Sequence, residues 1–373
     1  MIKLANDGQP YAITMWDFSW LERRWPGAGY EDWDRALDEL AERGYNAVRL
    51  DAYPHLHAID PQREWTILPC WNQQDWGSAS RNRVAIQPAL NVFLEKCAAR
   101  GIKVGLSSWY QDDTTHARQL ITTPEVHGQQ WVGVIDAIAS AGLLDTVLYV
   151  DLCNEWPFTC WAPFFNYPTG GPDETFAGQR SLAWMQRAIE TIKAHYAIPT
   201  TFSIVGVPRQ ADRSVLPLDL PYFDFWEPHI WMVHANRDEF YQRVGYSYPR
   251  WDSTGYERVA EFAEALYRQS PDYWLNMLRG LVNEAADFSR TVQRPLITTE
   301  CWGIVDYKDW PLLDWGWVKE SCAVGTETAA ASGRWAAIAT SNFCGPQFVG
   351  MWRDIAWHQR LTGIIKSSPS TVL

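Results

Sequence analysis

The fold is predicted from the stretch Val147-Leu148-Tyr149-Val150-Asp151-Leu152-Cys153-Asn154-Glu155-Trp156. Residues 147–152 are mostly apolar and β-branched, which predicts a strand, and Pro157 prevents that strand from continuing. Because side chains alternate along a strand, Asp151 and Glu155 are expected on one face and the apolar side chains on the other. Barrel enzymes hold their chemistry at the C-terminal ends of buried strands, although many strand ends are polar without any such role.

The pattern of a strand followed by a helix recurs along the chain. The predicted strands are residues 13–18, 46–53, 102–109, 147–152, 199–205, 223–231, 294–303 and 348–352. The predicted helices cover about 31–43, 88–100, 124–141, 179–196 and 327–342, with a loop and helix pair in 232–290. This alternation predicts a parallel sheet with crossover helices. Eight units without a linker predict an α/β fold: a (β/α)8 TIM barrel in a single domain over residues 1–373, with long aromatic-rich loops after its strands.

The N-terminus predicts a small accessory element. Asn6-Asp7-Gly8-Gln9 is typical of a hairpin turn, so residues 1–12 are predicted to form a short hairpin that closes the bottom of the barrel. The start of the chain lacks the apolar segment of an export signal, and no apolar run is long enough to cross a bilayer. We therefore expect a cytoplasmic protein with no membrane partner.

Composition excludes several classes of function. The net charge is −12 and there is no basic run, so nucleic acid is not an expected partner. The seven cysteines are scattered and never form a C-x-x-C pair, which favours free thiols over a disulfide framework or a zinc site. The sequence has no phosphate-binding glycine motif, no G-x-S-x-G and no H-E-x-x-H, and no cofactor is expected.

Tryptophan is unusually frequent, with 23 residues among 373, beside 16 tyrosines and 14 phenylalanines. Many of these side chains are expected to pack in the core or between loops. Core packing alone rarely needs so much indole, because a buried Trp requires a partner for its N–H group. Flat aromatic faces that line a cleft are suited to the C–H faces of sugar rings, so a carbohydrate substrate is expected.

Two glutamates end opposite strands of the predicted barrel. Glu155 follows the fourth strand and Glu300 lies at the end of the seventh, so their side chains can converge on one ligand. Such a pair can cleave a glycosidic bond, one carboxyl protonating the leaving oxygen while the other attacks the sugar or activates water. If the two lie about 5 Å apart, the second is a nucleophile and the configuration is retained.

Three further residues fit the same site. Arg49 on the second strand can hold Glu300 ionised, Asn154 can donate to a sugar 2-hydroxyl, and His229 can bond the substrate or the acid. Two of them also have a simpler interpretation: Arg49 can pair with Asp51, and His229 can be a core histidine. Asp151 is expected to pack beneath the site.

These residues resemble those of the clan A glycoside hydrolases, retaining (β/α)8 enzymes that include cellulases and mannanases, and the cellulase-like, sugar-binding members in particular. The resemblance implies that Glu155 is the acid/base and Glu300 the nucleophile. It also implies that Arg49, Asn154 and His229 line the site. Aromatic contacts with the sugar are expected from Trp109, Trp231, Trp302 and Trp352, with Trp352 as a strand-eight tryptophan. The third strand ends in Ser107-Ser108-Trp109 where many cellulases have histidine, and Trp231 replaces a tyrosine, which leaves the sugar open.

The sequence thus predicts a retaining glycoside hydrolase that cleaves β-linked glycosides or short oligosaccharides, acting from chain ends. One alternative is a metal-dependent barrel hydrolase, because His55-Leu56-His57 is an H-x-H motif that His229, His234 and Asp354 could complete. Another is a carbohydrate-binding barrel without activity. The oligomeric state stays open.

Overall fold

Seven parallel strands form one curved sheet in the computed structural model, which describes residues 8–69, 81–166, 175–208, 220–247 and 254–370. In chain order the barrel strands are β1 (Tyr11–Thr14), β2 (Ala47–Asp51), β3 (Lys103–Ser107), β4 (Val147–Asp151), β5 (Thr200–Thr201), β6 (Pro228–Trp231), β7 (Leu296–Thr298) and β8 (Trp335–Ala339). Hydrogen bonds connect all except β6 in the order β7-β8-β1-β2-β3-β4-β5.

The sixth strand closes the barrel. It pairs in parallel with Ile204–Val205, which continues β5, and with Cys301–Trp302, which continues β7. Ile204 is in register with Pro228, and Cys301 with Ile230. The sheet therefore runs full circle, and the predicted (β/α)8 barrel is confirmed. All eight strands point the same way, so their C-terminal ends form one face of the molecule.

Helices surround the sheet. The main ones are α1 (Trp33–Glu42), α2 (Ala89–Ala98), α3 (Pro124–Ser140), α4 (Gln179–Lys193), α5 (Pro271–Val292), α6 (Gly316–Ser332) and α7 (Ile355–Ser367). Their ends follow from local sequence: the Thr123 side chain accepts a hydrogen bond from the Val126 N–H at the start of α3, next to Pro124. Gly333, with φ 68°, ends α6.

Shorter elements lie in the connections. An antiparallel pair, Glu64–Ile67 with Asn82–Ala85, follows β2. Short helices cover Ser19–Glu22, Pro54–His57, Pro163–Asn166, Ala235–Val244, Gly255–Arg258, Glu264–Gln269 and Val349–Trp352, a π-helical turn covers Val259–Ala263, and 3-10 turns cover Ala117–Leu120, Leu144–Thr146 and Met232–His234.

The prediction for the eighth strand is wrong. Residues 348–352 contain a short helix, and the strand is Trp335–Ala339, which the sequence pattern assigned to a helix over 327–342. Its sequence Trp-Ala-Ala-Ile-Ala is completely buried. Such a strand shows no polar alternation, and alanine favours helices, so periodicity could not separate it from the end of α6.

Other predictions have different outcomes. The predicted N-terminal hairpin depends on residues 1–7, which lie outside the described residues, and the first strand begins at Tyr11. Trp71, Trp76 and Cys70 also lie outside them. The six cysteines within the described ranges are all free thiols, as predicted. No helix in the described part of the chain combines the length and apolar character needed to span a membrane.

Candidate active site

Glu155 and Glu300 meet at the C-terminal face of the barrel. A carboxylate oxygen of each and a ring nitrogen of His229 lie within 4.8 Å of one another. His229 Nδ1 is 3.1 Å from Glu155 Oε1 and 3.6 Å from Glu300 Oε1. The two carboxylate side chains are only 13% and 3% exposed, respectively. The predicted convergence of the two strand ends is therefore present in the structure.

The backbone turns sharply at Glu155. This residue has φ 48°, in the left-handed region that residues with a Cβ rarely occupy. Its N–H donates to Ser203 Oγ at 2.9 Å, and the N–H of Asn154 donates to the Ser108 carbonyl oxygen at 2.9 Å. Strict alternation would place Asn154 and Glu155 on opposite faces, and the turn instead brings both side chains to the site.

Arg49 is completely buried and lies against both sides of the site. Its Nη1 donates to Thr299 Oγ1 at 2.8 Å and to Glu300 Oε1 at 3.3 Å. Its Nη2 donates to Asn154 Oδ1 at 2.7 Å and to Asp151 Oδ2 at 2.9 Å. One guanidinium group thus fixes the predicted nucleophile and the residue next to the predicted acid.

Further carboxyl groups surround the same guanidinium. Asp17 Oδ2 lies 3.2 Å from Arg49 Nε, and Glu227 Oε1 lies 3.6 Å from Nη1. Asp51 accepts hydrogen bonds from the backbone of Tyr53 and Trp109 instead, so the alternative pairing of Arg49 with Asp51 is wrong. Burial raises the pKa of Asp17 and raises that of Glu227 to about 8. A single cation is therefore shared among more carboxyl groups than it can neutralise.

The two glutamates have opposite electrostatic surroundings. Burial opposes ionisation of Glu155, but donation from His229 and Trp161 outweighs it and lowers the pKa of Glu155. Burial raises the pKa of Glu300 well above its ordinary value, the negative charge of Glu155 raises it further, and Arg49 offsets only part of this. Arg49 thus lowers the pKa of Glu300 in the predicted direction, but because it is shared with other carboxyl groups it does not bring that pKa back to its ordinary range.

His229 is a hydrogen-bonding residue of the site rather than a core histidine. Burial lowers its pKa, and its contact with Glu155 raises it in part, so the ring is neutral near pH 7. Nδ1 faces the carboxylate of Glu155 and Nε2 faces Arg49 Nη1 at 3.5 Å. Since Arg49 can only donate, the hydrogen on the ring belongs on Nδ1, where it points at Glu155.

Two of the predicted tryptophans lie at the site. Trp109 donates through Nε1 to Asp17 Oδ2 at 2.6 Å. Its ring packs edge-on against that of Trp161, with 4.6 Å between the ring centroids. Trp161 in turn donates to Glu155 Oε2 at 3.1 Å. Trp231 contacts the ring of His229 edge-on at 5.8 Å. Trp109 and Trp231 are thus buried one side chain away from Glu155, behind Trp161 and His229 respectively.

The other two predicted tryptophans are not brought to the site. Trp302 packs against α6, where a Cβ on Gly325 would lie 2.5 Å from its ring, and its Nε1 donates to the Ala339 carbonyl oxygen. Trp352 lies on the short helix Val349–Trp352, donates to Glu39 of α1, and has the Arg43 guanidinium over its ring. Both side chains are held in the packing around the barrel, so we exclude them from the substrate site.

Sequence patterns missed several contacts. Asp17 and Ser203 lie within the predicted strands 13–18 and 199–205, and Trp161 lies in the loop after β4, but no motif marked any of the three as a site residue. Glu227 could have been found, because it precedes His229 by two residues and alternation places the two on one face. Asp151, expected only to pack beneath the site, is one of the Arg49 partners.

Comparison with known proteins agrees with this geometry. A model of the sugar-binding cellulase-like family matches residues 13–366. The chain belongs to the cellulase-like family. A candidate glycoside hydrolase from Parabacteroides distasonis is 52% identical, with a TM-score of 0.92 over 97% of this chain and 95% of that one. No curated protein matches.

More distant solved structures share the fold. An endo-β-1,4-mannanase from Thermotoga petrophila has a TM-score of 0.56 at 9% identity, covering 98% of this chain and 78% of that one. A GH5_18 protein from Streptomyces cattleya, solved with Manβ1-4GlcNAc, has a TM-score of 0.50 at 15% identity, covering 88% and 70%. At these identities the likeness concerns the glycoside hydrolase barrel itself.

The H-x-H motif of this cellulase-like chain lies in a short helix after β2 and has contacts of its own. His55 lies buried in the helix Pro54–His57, where its Nε2 contacts the Gln111 carbonyl oxygen. Asp354 caps α7 and pairs with Lys319. Among the described residues, the group of three side chains arranged to hold a metal ion is Glu155, His229 and Glu300. The predicted metal set around His55 and His57 is therefore not assembled.

Proposed function

We propose that this cellulase-like protein is a retaining glycoside hydrolase that cleaves β-linked glycosides by double displacement. The observation that carries the proposal is the approach of Glu155 and Glu300, whose oxygens lie within 4.8 Å of each other at the ends of β4 and β7. Retaining enzymes separate their carboxyl groups by about 5–5.5 Å, whereas inverting enzymes need about 6.5–9.5 Å to admit a water molecule.

The reaction divides into two displacements. In the first, Glu300 attacks the anomeric carbon while Glu155 donates its proton to the glycosidic oxygen, and the bond between that oxygen and the sugar breaks. In the second, Glu155 takes a proton from water, which displaces Glu300 from the sugar.

Asn154 Nδ2 is buried and has no hydrogen-bond partner among the described residues. This supports a role for Asn154 as a donor to the substrate 2-hydroxyl.

The proposed first step needs the proton of the pair on Glu155. The surroundings favour the proton on Glu300, because they raise the pKa of Glu300 and lower that of Glu155. The productive form is therefore the minor one, and its population depends on how strongly neighbours stabilise the Glu155 carboxylate. A substitution that removes a hydrogen bond to the Glu155 carboxylate should therefore increase the population of the form that carries the proton on Glu155.

Replacing Trp161 by phenylalanine is expected to change the pH profile. The indole N–H stabilises ionised Glu155, so its loss raises the pKa of Glu155 and keeps the acid protonated to higher pH. The ratio of kcat/KM on the alkaline side of the optimum to that on the acid side should rise about threefold to tenfold, as for the loss of one hydrogen bond. Initial rates on an aryl β-glycoside across the pH range measure this ratio.

Trp156→Phe is the matched control. Trp156 lies in the same loop and its Nε1 donates to Ser181 Oγ at 2.8 Å, so this variant also loses a buried indole hydrogen bond, but not one to Glu155. Its alkaline-to-acid ratio should equal that of the wild type. The same ratio in both variants would contradict a role of Trp161 in setting the ionisation of Glu155.

We propose further that the protein acts on chain ends of short β-linked oligosaccharides. Two features support a pocket rather than an open groove. The side chains of Glu155 and Glu300 are only 13% and 3% exposed, and the connections after β2, β4, β6 and β7 are long. Digestion of a labelled oligosaccharide should release single sugars or disaccharides from one end. Early release of internal fragments would contradict this.

The decisive test of the proposed function is a screen of aryl β-glycosides followed by trapping with a fluorinated glycoside. We expect one sugar to be hydrolysed, NMR to show a first-formed product of retained configuration, and peptide mapping to find the label on Glu300. An inverted product, or a label elsewhere, would overturn the mechanism.

Full activity after dialysis against a chelator is expected. A loss of activity that added metal restores would favour the metal-dependent alternative at Glu155, His229 and Glu300. Binding without turnover would favour a carbohydrate-binding barrel.

A further inference from the structure

Ser203 holds the backbone around Glu155 from a neighbouring strand. It lies between β5 and its continuation Ile204–Val205, and its side chain is buried. The N–H of Glu155 donates to Ser203 Oγ at 2.9 Å, and the N–H of Trp156 donates to the Ser203 carbonyl oxygen at 2.9 Å. Two consecutive backbone amides are thus bound to one residue, on the two sides of the Glu155 α-carbon.

These bonds act where the backbone conformation is unfavourable. Glu155 has φ 48°, and residues with a Cβ keep such a conformation only where their surroundings hold it. The turn brings the Glu155 carboxyl to His229 and opposite Glu300. A change of φ at Glu155 would rotate the backbone that carries the carboxyl and so move it from its place beside His229.

The hydroxyl of Ser203 is itself held by a hydrogen bond to Asp151. Because it accepts from the Glu155 N–H, its hydrogen is free to donate, and Asp151 Oδ2 lies nearest at 2.9 Å, closer than the Cys153 carbonyl oxygen at 3.4 Å. Asp151 Oδ1 also accepts from the Ser203 N–H at 2.8 Å. Asp151 therefore sets both the position and the hydrogen direction of Ser203.

We infer that Ser203, anchored on Asp151, is a positioning residue for the acid/base Glu155. It holds the left-handed turn from which the Glu155 carboxyl reaches the leaving oxygen, and it does not touch the substrate. This inference rests on the proposed function, since it assigns Ser203 to the proton transfer and not to the attack by Glu300. Loss of the Ser203 side chain should therefore slow the first displacement most for substrates whose leaving group must be protonated.

Dependence on the leaving group tests this assignment. The full-length Ser203→Ala variant is assayed on aryl β-glycosides of the sugar found in the screen, from dinitrophenyl, which leaves without protonation, to unsubstituted phenyl, which requires it. We expect kcat/KM for the phenyl glycoside to fall about tenfold or more, and that for the dinitrophenyl glycoside to fall less than about twofold. An equal fall on both substrates, or no fall, would overturn the inference.

Ser107→Ala is the matched control. Ser107 is also buried, donates to the same Asp151 oxygen at 2.9 Å and accepts from Arg49 Nη2 at 2.8 Å, but it has no hydrogen bond to the Glu155 backbone. Its loss should lower kcat/KM by the same factor on both substrates. A leaving-group dependence in Ser107→Ala equal to that in Ser203→Ala would also overturn the inference.

Two further variants separate the possible failures. Ser203→Cys keeps the side-chain size with a weaker donor and acceptor, and should show the same dependence to a smaller degree if Ser203→Ala does not fold. Glu155→Ala must itself be far more impaired on phenyl than on dinitrophenyl glycosides. If it is not, the proposed role of Glu155 fails; if it is and the Ser203 variants show no such dependence, only the positioning role fails.

Discussion

Replacing Glu300 by alanine is expected to lower kcat/KM on the order of 10⁶-fold, the scale observed when a nucleophile is removed from another hydrolase. That factor corresponds to about 8 kcal/mol of transition-state stabilisation. Without Glu300 no bond can form to the anomeric carbon, and Glu155 is left with a proton to donate but no partner for the displacement. Initial rates on the aryl β-glycoside that the wild type hydrolyses fastest measure the loss.

Azide separates the roles of the two glutamates. In Glu300→Ala the anion can occupy the space of the lost carboxylate and attack the sugar directly, so rescue should yield a glycosyl azide of inverted configuration. In Glu155→Ala azide attacks the glycosyl-enzyme on Glu300, so the azide product should have retained configuration. Retained azide from Glu300→Ala, or residual activity above about one-hundredth of the wild type, would show that Glu300 is not the nucleophile.

The architecture was predictable where apolar strands ended in charged residues. Such ends placed β2, β4, β6 and β7 correctly, because chemistry at the C-terminal face leaves charged residues there. The eighth strand is followed by the uncharged residues Thr340-Ser341-Asn342, Trp335–Ala339 itself is wholly apolar, and its alanines also suit a helix. Trp352 was assigned to the site through that same error.

The site was predictable as a set of residues but not as a charge distribution. The positions of Arg49 and Glu300 on their strands predicted that they lie close together, and the two side chains are in contact. What position could not show is that Asp17 and Glu227 approach the same guanidinium from connections far apart in sequence. Alternation likewise gave Glu155 the correct face for the wrong reason, because the left-handed turn resets the register after β4. Non-local contacts and a local exception to strand geometry therefore account for what was missed.

Replacing Arg49 by methionine is expected to reduce the free energy of unfolding by about 3–5 kcal/mol near pH 7, the cost of removing one partner from a buried ion pair. The variant keeps most of the side-chain volume but leaves the carboxyl groups of Asp17, Asp151, Glu227 and Glu300 without their shared cation. Urea unfolding followed by tryptophan fluorescence measures the loss. Arg100→Met is the control, since Arg100 also pairs with two carboxylates, Asp34 and Asp38, but at the surface, where such pairs contribute little.

The pH dependence of this loss distinguishes buried charge from lost packing. Without Arg49, the pKa values of Asp17, Glu227 and Glu300, which burial already raises, should rise further, so the folded variant binds more protons than the unfolded one. A group with a raised folded-state pKa destabilises the fold as pH rises, and the pKa of Glu227 is already about 8 in the wild type. The difference from the wild type should therefore be small near about pH 5 and should grow as the pH rises to about 9. A packing defect would cost the same at both. A loss that is constant, or that shrinks as pH rises, would mean that Arg49 acts by filling space, and that the carboxyl groups around it carry no charge for it to balance.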